Sequence, residues 1–178
     1  MKDKVELEIE YPHSPETVWR ALTDPAALRE WLLPTDLRPL IGLRFRMERG
    51  ESHPITGKVI EVEEGKLLAY TWDDGESPEP SVVCWTLDPT EGGTRVRLEH
   101  RYVETPVVTC IPIDAYFNWR YALRHSLPGL LALLAGSGGA LPRAPIVYVD
   151  ETSNDGFPAE TRRYAESRRI GFREVVAR

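Results

Sequence analysis

One histidine stands out among the residues that could carry chemistry. His100 alternates with Val96 and Leu98 along a segment whose other positions hold arginines and a glutamate. Because successive side chains of a strand point to opposite faces, His100 is predicted to face the interior together with those apolar residues. A buried imidazole in that position is a candidate polar anchor for a ligand, or a general acid/base.

A purely structural role is the competing interpretation of His100. A core histidine that is hydrogen-bonded to a neighbour such as Tyr70, or to a backbone carbonyl, would show the same pattern. No carboxylate alternates in phase with His100, and this favours the structural role. The other histidines are weaker candidates, because His13 and His53 fall in predicted loops and His125 faces away from the apolar stripe of a predicted helix.

Signatures of other chemistries are absent from the sequence. It contains no glycine-flanked serine nucleophile, HExxH motif, P-loop or dinucleotide fingerprint. Cys84 and Cys110 are too isolated for a disulfide framework or a zinc site. Residues 73–80 are acidic, but two prolines and irregular spacing favour a solvated loop over a calcium site. We therefore expect no metal, no cofactor and no catalytic residue.

Aromatic residues form a second candidate set. With aliphatic neighbours they are predicted to line a concave apolar surface, which suits a pocket for a hydrophobic molecule and equally suits a packed core. The predicted lining residues are Trp31, Phe45, Tyr70, Trp72, Trp85, Leu98, His100, Tyr102, Tyr116, Trp119 and Leu123. Core packing is the better interpretation for each residue alone. For the set, a cavity and a filled interior remain equally open.

Short strands carry most of these residues. Val5, Leu7 and Ile9 alternate with glutamates and predict a first strand with one wet face. Further strands are predicted at residues 43–49, 57–63, 67–72, 81–88 and 94–103. Tight turns at residues 64–65 and 91–93 join neighbouring strands, so the pattern predicts a meander of about six antiparallel strands.

Helices are signalled by their caps. Ser14-Pro15 and Asp24-Pro25 each place a capping side chain before a proline, and they predict two short helices directly after the first strand. A long helix is predicted at residues 112–135, where an apolar stripe recurs at spacings of three and four. Pro128 interrupts it, so either the helix kinks there or Ser126 caps a second short helix; the unbroken stripe favours the kink.

Composition limits the class of protein. The chain has 178 residues, 42% of them hydrophobic, which predicts a soluble globular chain of one domain with an extension. A net charge of −6 argues against nucleic acid as the main partner. No apolar run approaches the roughly 20 residues of a membrane span, and the N-terminus has the pattern of a strand rather than a signal peptide. The cytoplasm is the expected location.

Four stretches carry a family resemblance. They are SPETVWRALTDPAALREWL, GLRFRM, GKVIEVEEGKLLAYTW and VVCWTLDPTEGGTRVRLEH, in that order. Over about residues 4 to 135 the chain resembles the bacterial homologues of the heat-shock-protein-ninety ATPase activator, in the START-like superfamily that includes polyketide cyclases and the birch-pollen allergen. It departs from relatives in lacking a second tryptophan after Trp31, in Pro128, and in the chain beyond Gly136.

The resemblance implies an α+β helix-grip fold, in which a curved antiparallel sheet wraps around one long C-terminal helix. The glycine-rich stretch at residues 136–139 predicts the end of this domain, which we place at residues 1–139. Residues 140–178 are predicted to be an extension of a short strand and a helix that docks on the domain or forms a homodimer. The resemblance also implies a mostly apolar cavity between sheet and helix, often used to hold a lipid-like or polycyclic molecule.

From this we expect non-catalytic binding of a small hydrophobic molecule. Two alternatives stay open: a protein-interaction module that acts with a chaperone, and a polyketide-cyclase-like enzyme that uses His100. The module predicts a filled core, whereas the enzyme predicts a His100 pKa near neutrality and a water-accessible cavity.

Overall fold

The computed structural model describes residues 4–75, 81–102 and 119–138. Tyr116, the first part of the helix predicted at residues 112–135 and the extension predicted at residues 140–178 lie outside the described residues. For Tyr102 the backbone is described and the side chain is not.

A six-stranded antiparallel sheet forms the body of the fold, with strand order β1-β6-β5-β4-β3-β2. The strands are β1 (Lys4–Tyr11), β2 (Arg44–Met47), β3 (Ile55–Glu63), β4 (Leu67–Trp72), β5 (Ser81–Thr90) and β6 (Gly93–Tyr102). Strands β2 to β6 pair with their neighbours in the chain, while β1 pairs with β6 at the far edge. The predicted meander is confirmed, as is the helix-grip fold, in which this curved sheet packs against a C-terminal helix.

Cross-strand register sorts the inner face of the sheet into three rows. The leucine rung consists of Leu7, Leu98, Trp85, Leu68 and Val62. The histidine rung consists of Val5, His100, Val83, Tyr70 and Val59. The terminal rung consists of Ser81 and Trp72, and the backbone of Tyr102 pairs beside Ser81. Because side chains alternate along each strand, these rows face the same layer of the molecule.

The two short helices begin where their caps predict. Helix α1 spans Pro15–Thr23 and helix α2 spans Pro25–Trp31. The Ser14 hydroxyl accepts the Thr17 N–H at 3.3 Å, and the Asp24 carboxylate accepts the Ala26 N–H at 2.9 Å. The Trp31 indole N–H donates to the Ala21 carbonyl at 2.8 Å and thereby fixes the angle between the helices.

The C-terminal helix is continuous across Pro128. Residues 119–121 are helical, a π-helical turn spans Ala122–Ser126, and helix α3 spans Leu127–Gly136. Ser126 has helical backbone angles and caps nothing, so the alternative of a separate capped helix is wrong. The π turn is where the helix accommodates its proline.

A tyrosine from the far edge of the sheet completes this turn. The Leu127 N–H bonds to the Ala122 carbonyl, five residues back, and Pro128 has no N–H. Those two facts leave the Leu123 carbonyl without a partner in the helix. The Tyr11 hydroxyl donates to that carbonyl at 2.6 Å, which joins the end of β1 to the helix.

The core lies between the inner face of the sheet and the helices. The buried leucines of the C-terminal helix are Leu123, Leu127, Leu130, Leu131 and Leu134. Helix α3 packs against α1 and α2. Most of the apolar stripe predicted for the described part of this helix is therefore buried.

Candidate functional site

A chain of hydrogen bonds crosses the interior from the helix to the sheet. The Trp119 indole N–H donates to His100 Nδ1 at 3.0 Å, and His100 Nε2 lies 2.9 Å from Ser81 Oγ. Ser81 Oγ donates to the Trp72 carbonyl at 3.0 Å. An indole N–H can only donate, so Nδ1 must accept and the imidazole proton must sit on Nε2. The bonds therefore run in one direction, from Trp119 through His100 and Ser81 to the backbone of β4.

This arrangement holds His100 in its neutral form. The side chain is 4% exposed. Burial lowers the pKa of His100 to about 4, and the charge of Asp74 opposes that shift only in part. A protonated imidazole would also set its Nδ1–H against the Trp119 N–H. The neutral, doubly bonded imidazole has the geometry of a core histidine, and it does not meet the condition of a pKa near neutrality that the enzyme alternative requires.

Aromatic rings surround the imidazole. The Trp119 ring centroid lies 5.3 Å from that of Trp72, 5.4 Å from that of Trp85 and 6.2 Å from that of His100. The Trp72 ring stacks on Tyr70 at 6.4 Å and meets His100 at 5.7 Å. We call Tyr70, Trp72, Ser81, Trp85, His100 and Trp119 the tryptophan–histidine cluster. Its members come from β4, β5, β6 and the C-terminal helix.

The Tyr70 hydroxyl keeps one unused donor in this cluster. It accepts the Trp85 indole N–H at 3.0 Å. Among the described residues it donates to no acceptor, although a phenol can do both. Tyr70 is 2% exposed, and burial raises the pKa of its hydroxyl, so the group stays protonated at neutral pH. A buried donor of this kind suits an acceptor atom of a bound molecule.

Phe45 extends the cluster along the sheet because its cross-strand partner is a glycine. Phe45 pairs with Gly57 in the register of β2 and β3, and its ring meets Tyr70 edge-on at 5.1 Å. A Cβ built on Gly57 would lie 2.4 Å from the Phe45 ring and 2.1 Å from the Thr71 carbonyl oxygen. Gly57 therefore provides the space that the Phe45 ring occupies.

The predicted lining residues differ in exposure. Leu98 is 0% exposed and Trp85 and Leu123 are 1% exposed. A side chain beside a water-sized space would have accessible surface, so these three are packed on all sides. Trp31, Phe45 and Trp119 are likewise buried, and Trp31 meets Trp85 edge-on at 6.2 Å. Trp72 alone among the described candidates is half-buried.

Sequence reasoning missed three residues that position this site. Ser81, Gly57 and Tyr11 hold His100, Phe45 and the helix respectively. Ser81 alternates in phase with Val83 and Trp85, so alternation alone could have placed it on the inner face. The partner of Tyr11 is 112 residues away, and no local pattern indicates it.

The described residues provide neither a cluster of metal ligands nor a membrane-spanning helix. Within residues 4–75, 81–102 and 119–138, no group of three or more His, Cys, Asp or Glu side chains could hold a metal ion. No helix in that part of the chain is long and apolar enough to cross a membrane.

The fold and the inward-facing residues define a START-like helix-grip domain. Residues 12–132 match the family model described as Activator of Hsp90 ATPase homolog 1-like protein. The match covers most of the chain, and the chain belongs to this family. No curated protein matches the sequence.

Solved structures share the fold. Protein MLL2253 from Mesorhizobium loti is 33% identical, with a TM-score of 0.64 over 73% of this chain and 97% of that chain. The AHSA1-like protein from Aeromonas hydrophila is 21% identical, with a TM-score of 0.58 over 79% of this chain and 97% of that one. DynU16, from the dynemicin biosynthetic locus, is 21% identical, with a TM-score of 0.61 over 78% of this chain and 49% of that one. The latter two show a shared fold.

Proposed function

We propose that this domain binds a small, ring-bearing hydrophobic molecule non-covalently at the Trp72 end of the tryptophan–histidine cluster. The half-buried Trp72 ring carries the proposal, because it joins the buried rings of Tyr70, His100 and Trp119 to the surface. Flat aromatic surface with a few polar groups is what an apolar ligand site needs. Membership of the START-like superfamily supports the same proposal, since its members commonly hold such molecules.

The packing of the leucine rung limits where the ligand would lie. Leu98 and Trp85 are at most 1% exposed, so the ligand would contact the terminal and histidine rungs instead. The Tyr70 hydroxyl would donate to an acceptor of the ligand, such as a carbonyl oxygen. His100 would orient Trp119 through its Nδ1 rather than contact the ligand itself.

Native mass spectrometry of the freshly purified full chain tests this proposal, when the native mass is compared with the mass of the denatured chain. We expect a reproducible excess mass of lipid or metabolite size in the native spectrum. Trp72→Leu should lose most of that excess, because it removes the ring at the site. Trp19→Leu is the matched control: Trp19 is also half-buried and packs against the core, but lies outside the cluster.

Two results would overturn the ligand proposal. One is a wild-type native mass equal to that of the bare chain, and the other is an excess mass that Trp72→Leu retains in full. The same spectra distinguish monomer from dimer. They thus test our further proposal that residues 140–178 are an extension through which two chains associate.

A second candidate is a protein-interaction module that acts with a chaperone, as the family description suggests. The tight packing around Leu98, Trp85 and Leu123 favours it, because a filled core is what such a module predicts. Stimulation of the ATPase rate of purified Hsp90 by a full chain with no excess mass would support this candidate over ligand binding. An unchanged ATPase rate together with a bound small molecule would reject it.

A further inference from the structure

Large apolar side chains are exposed at one corner of the sheet, away from the tryptophan–histidine cluster. Leu40 is 58% exposed and Ile41 is 70% exposed, in the loop that leads into β2. Ile60 of β3 is 44% exposed. These are the large hydrophobic residues that the described part of the chain leaves open to solvent. Exposed apolar groups that cluster in this way are typical of interaction sites.

The loop holds these side chains in a fixed position. The Leu43 N–H donates to the Leu40 carbonyl at 3.0 Å, which closes a tight turn. Gly42 takes φ +86° at the third position of that turn, the position where a type II turn requires a positive φ. The Gly42 N–H also donates to the Val59 carbonyl at 2.8 Å, which ties the turn to β3. Ile41 therefore sits at the corner of a rigid turn, where polar residues or proline are the usual choice.

Cations without carboxylate partners flank the apolar residues. Arg44 and Lys58 stand directly opposite each other in the register of β2 and β3, and both are exposed, as is Arg38. Like charges in directly opposed positions are destabilising. Within the described ranges, none of these three cations forms an ion pair. An anionic partner would relieve the repulsion that the fold leaves in place.

At the β6 end of the sheet, cations have carboxylate partners on the neighbouring strand. On β6, Arg97 pairs with Glu6 of β1, and Arg95 lies 3.6 Å from Glu8 and 3.8 Å from Glu10. The cations there are matched by carboxylates across the strand. We call Arg38, Leu40, Ile41, Arg44, Lys58 and Ile60 the Ile41 corner. It differs from the β6 end in combining unmatched positive charge with exposed apolar surface.

We infer that the Ile41 corner docks the domain on an anionic lipid surface. Apolar side chains at the corner of a turn can enter the headgroup layer, while neighbouring cations contact anionic headgroups. A projecting turn suits a deformable lipid layer better than the groove of a protein partner. The whole chain carries a net charge of −6, so any attraction to an anionic surface must come from a local patch within about a Debye length. This inference is independent of the proposed ligand.

Sedimentation with lipid vesicles tests the inference on the full chain. We expect binding to phosphatidylcholine vesicles that contain about 30 mol% phosphatidylserine, at low salt, and little binding to phosphatidylcholine alone. The double variant L40S/I41S should reduce the partition coefficient about tenfold or more by removing the inserted groups. Arg44→Gln and Lys58→Gln should each reduce it roughly fivefold. Lys66→Gln, at the distant β3–β4 turn, is the matched control and should bind as the wild type does.

Three results would overturn the inference. The first is failure of the wild type to bind anionic vesicles, and the second is binding of these vesicles by L40S/I41S as tight as that of the wild type. A third contrary result is loss of dimers by L40S/I41S in native mass spectrometry without vesicle binding, which would assign the corner to a second copy of the chain. Circular dichroism confirms that the variants are folded.

Discussion

The two ends of the interior are filled by different kinds of side chain, aliphatic at one end and hydrogen-bonded polar and aromatic at the other. At the leucine rung, aliphatic side chains and Trp85 meet the leucines of the C-terminal helix, and Leu98 has no exposed surface. Further along the strands, directed hydrogen bonds link the Trp119 indole of the helix, the His100 imidazole of the histidine rung and the Ser81 hydroxyl of the terminal rung. The cluster then reaches the surface at Trp72.

This difference separates stability from recognition. Close aliphatic packing is stabilising, and it offers nothing to a ligand because no surface is left. Buried polar groups add little net stability, but they fix ring orientations and leave specific donors in place. We therefore expect changes at the leucine rung to alter unfolding and changes at the terminal rung to alter binding.

The largest expected effect on folding comes from Leu98→Ala. Leu98 is 0% exposed, so truncation leaves a cavity and should lower the free energy of unfolding by roughly 2 to 5 kcal/mol. Urea titration at pH 7 measures it. Ile60→Ala, on an exposed position of β3, should cost less than about 1 kcal/mol. Equal losses in the two variants would contradict the packed leucine rung.

A pH dependence should separate the histidine rung from the leucine rung. The pKa of His100 is lowered from 6.5 to about 4 on folding, so between these values the unfolded chain binds more protons than the folded chain. Keeping His100 neutral therefore contributes fully to the free energy of unfolding above pH 6.5. That contribution is lost as the pH falls through the folded-state pKa of about 4, by a total on the order of 3 kcal/mol.

Urea titrations between pH 7 and pH 4 measure this term as a difference between variants. His100→Gln should show a shallower fall in stability than the wild type, whereas Leu98→Ala should be less stable at every pH with the wild-type slope. Parallel profiles for the wild type and His100→Gln would show that the imidazole is not held neutral.

The smallest expected effect concerns the hydrogen bond between Tyr11 of β1 and the C-terminal helix. Tyr11→Phe removes the donor to the Leu123 carbonyl and should cost about 1 to 3 kcal/mol. Pro128→Ala restores an N–H and should let the helix satisfy that carbonyl itself. In the Pro128→Ala background the cost of Tyr11→Phe should therefore fall below about 1 kcal/mol in a double-mutant cycle. Equal costs in both backgrounds would reject the link between Pro128 and Tyr11.

Local patterns predicted most of the fold. Caps at Ser14 and Asp24 located two helices, and alternation placed Leu98 and His100 on the inner face. Strand ends were less accurate: β2 is shorter than predicted and β3 begins two residues earlier. Strand ends depend on where a neighbouring strand stops pairing, which local sequence does not encode.

The sequence predicts which residues belong to the candidate site, but it does not predict how they contact one another. Alternation gathers Tyr70, Trp85 and His100 on one face, and it suggests Tyr70 or a backbone carbonyl as the partner of His100. The described partners are Trp119 and Ser81. Trp119 arrives from the C-terminal helix, so only docking of that helix brings its indole to the imidazole. Pro128 shows the same limit, because the sequence indicates an interrupted helix and not how it is accommodated.

The sequence by itself determined the element order, the faces of the strands and the family, because these follow from periodicity, caps and turn residues within a few positions of each other. The tertiary structure alone decided the tautomer of His100, the contact of Phe45 with Gly57, and the Tyr11 bond across 112 residues. Each of these depends on the distance between atoms on separate elements. Such distances are set only when helix and sheet pack together.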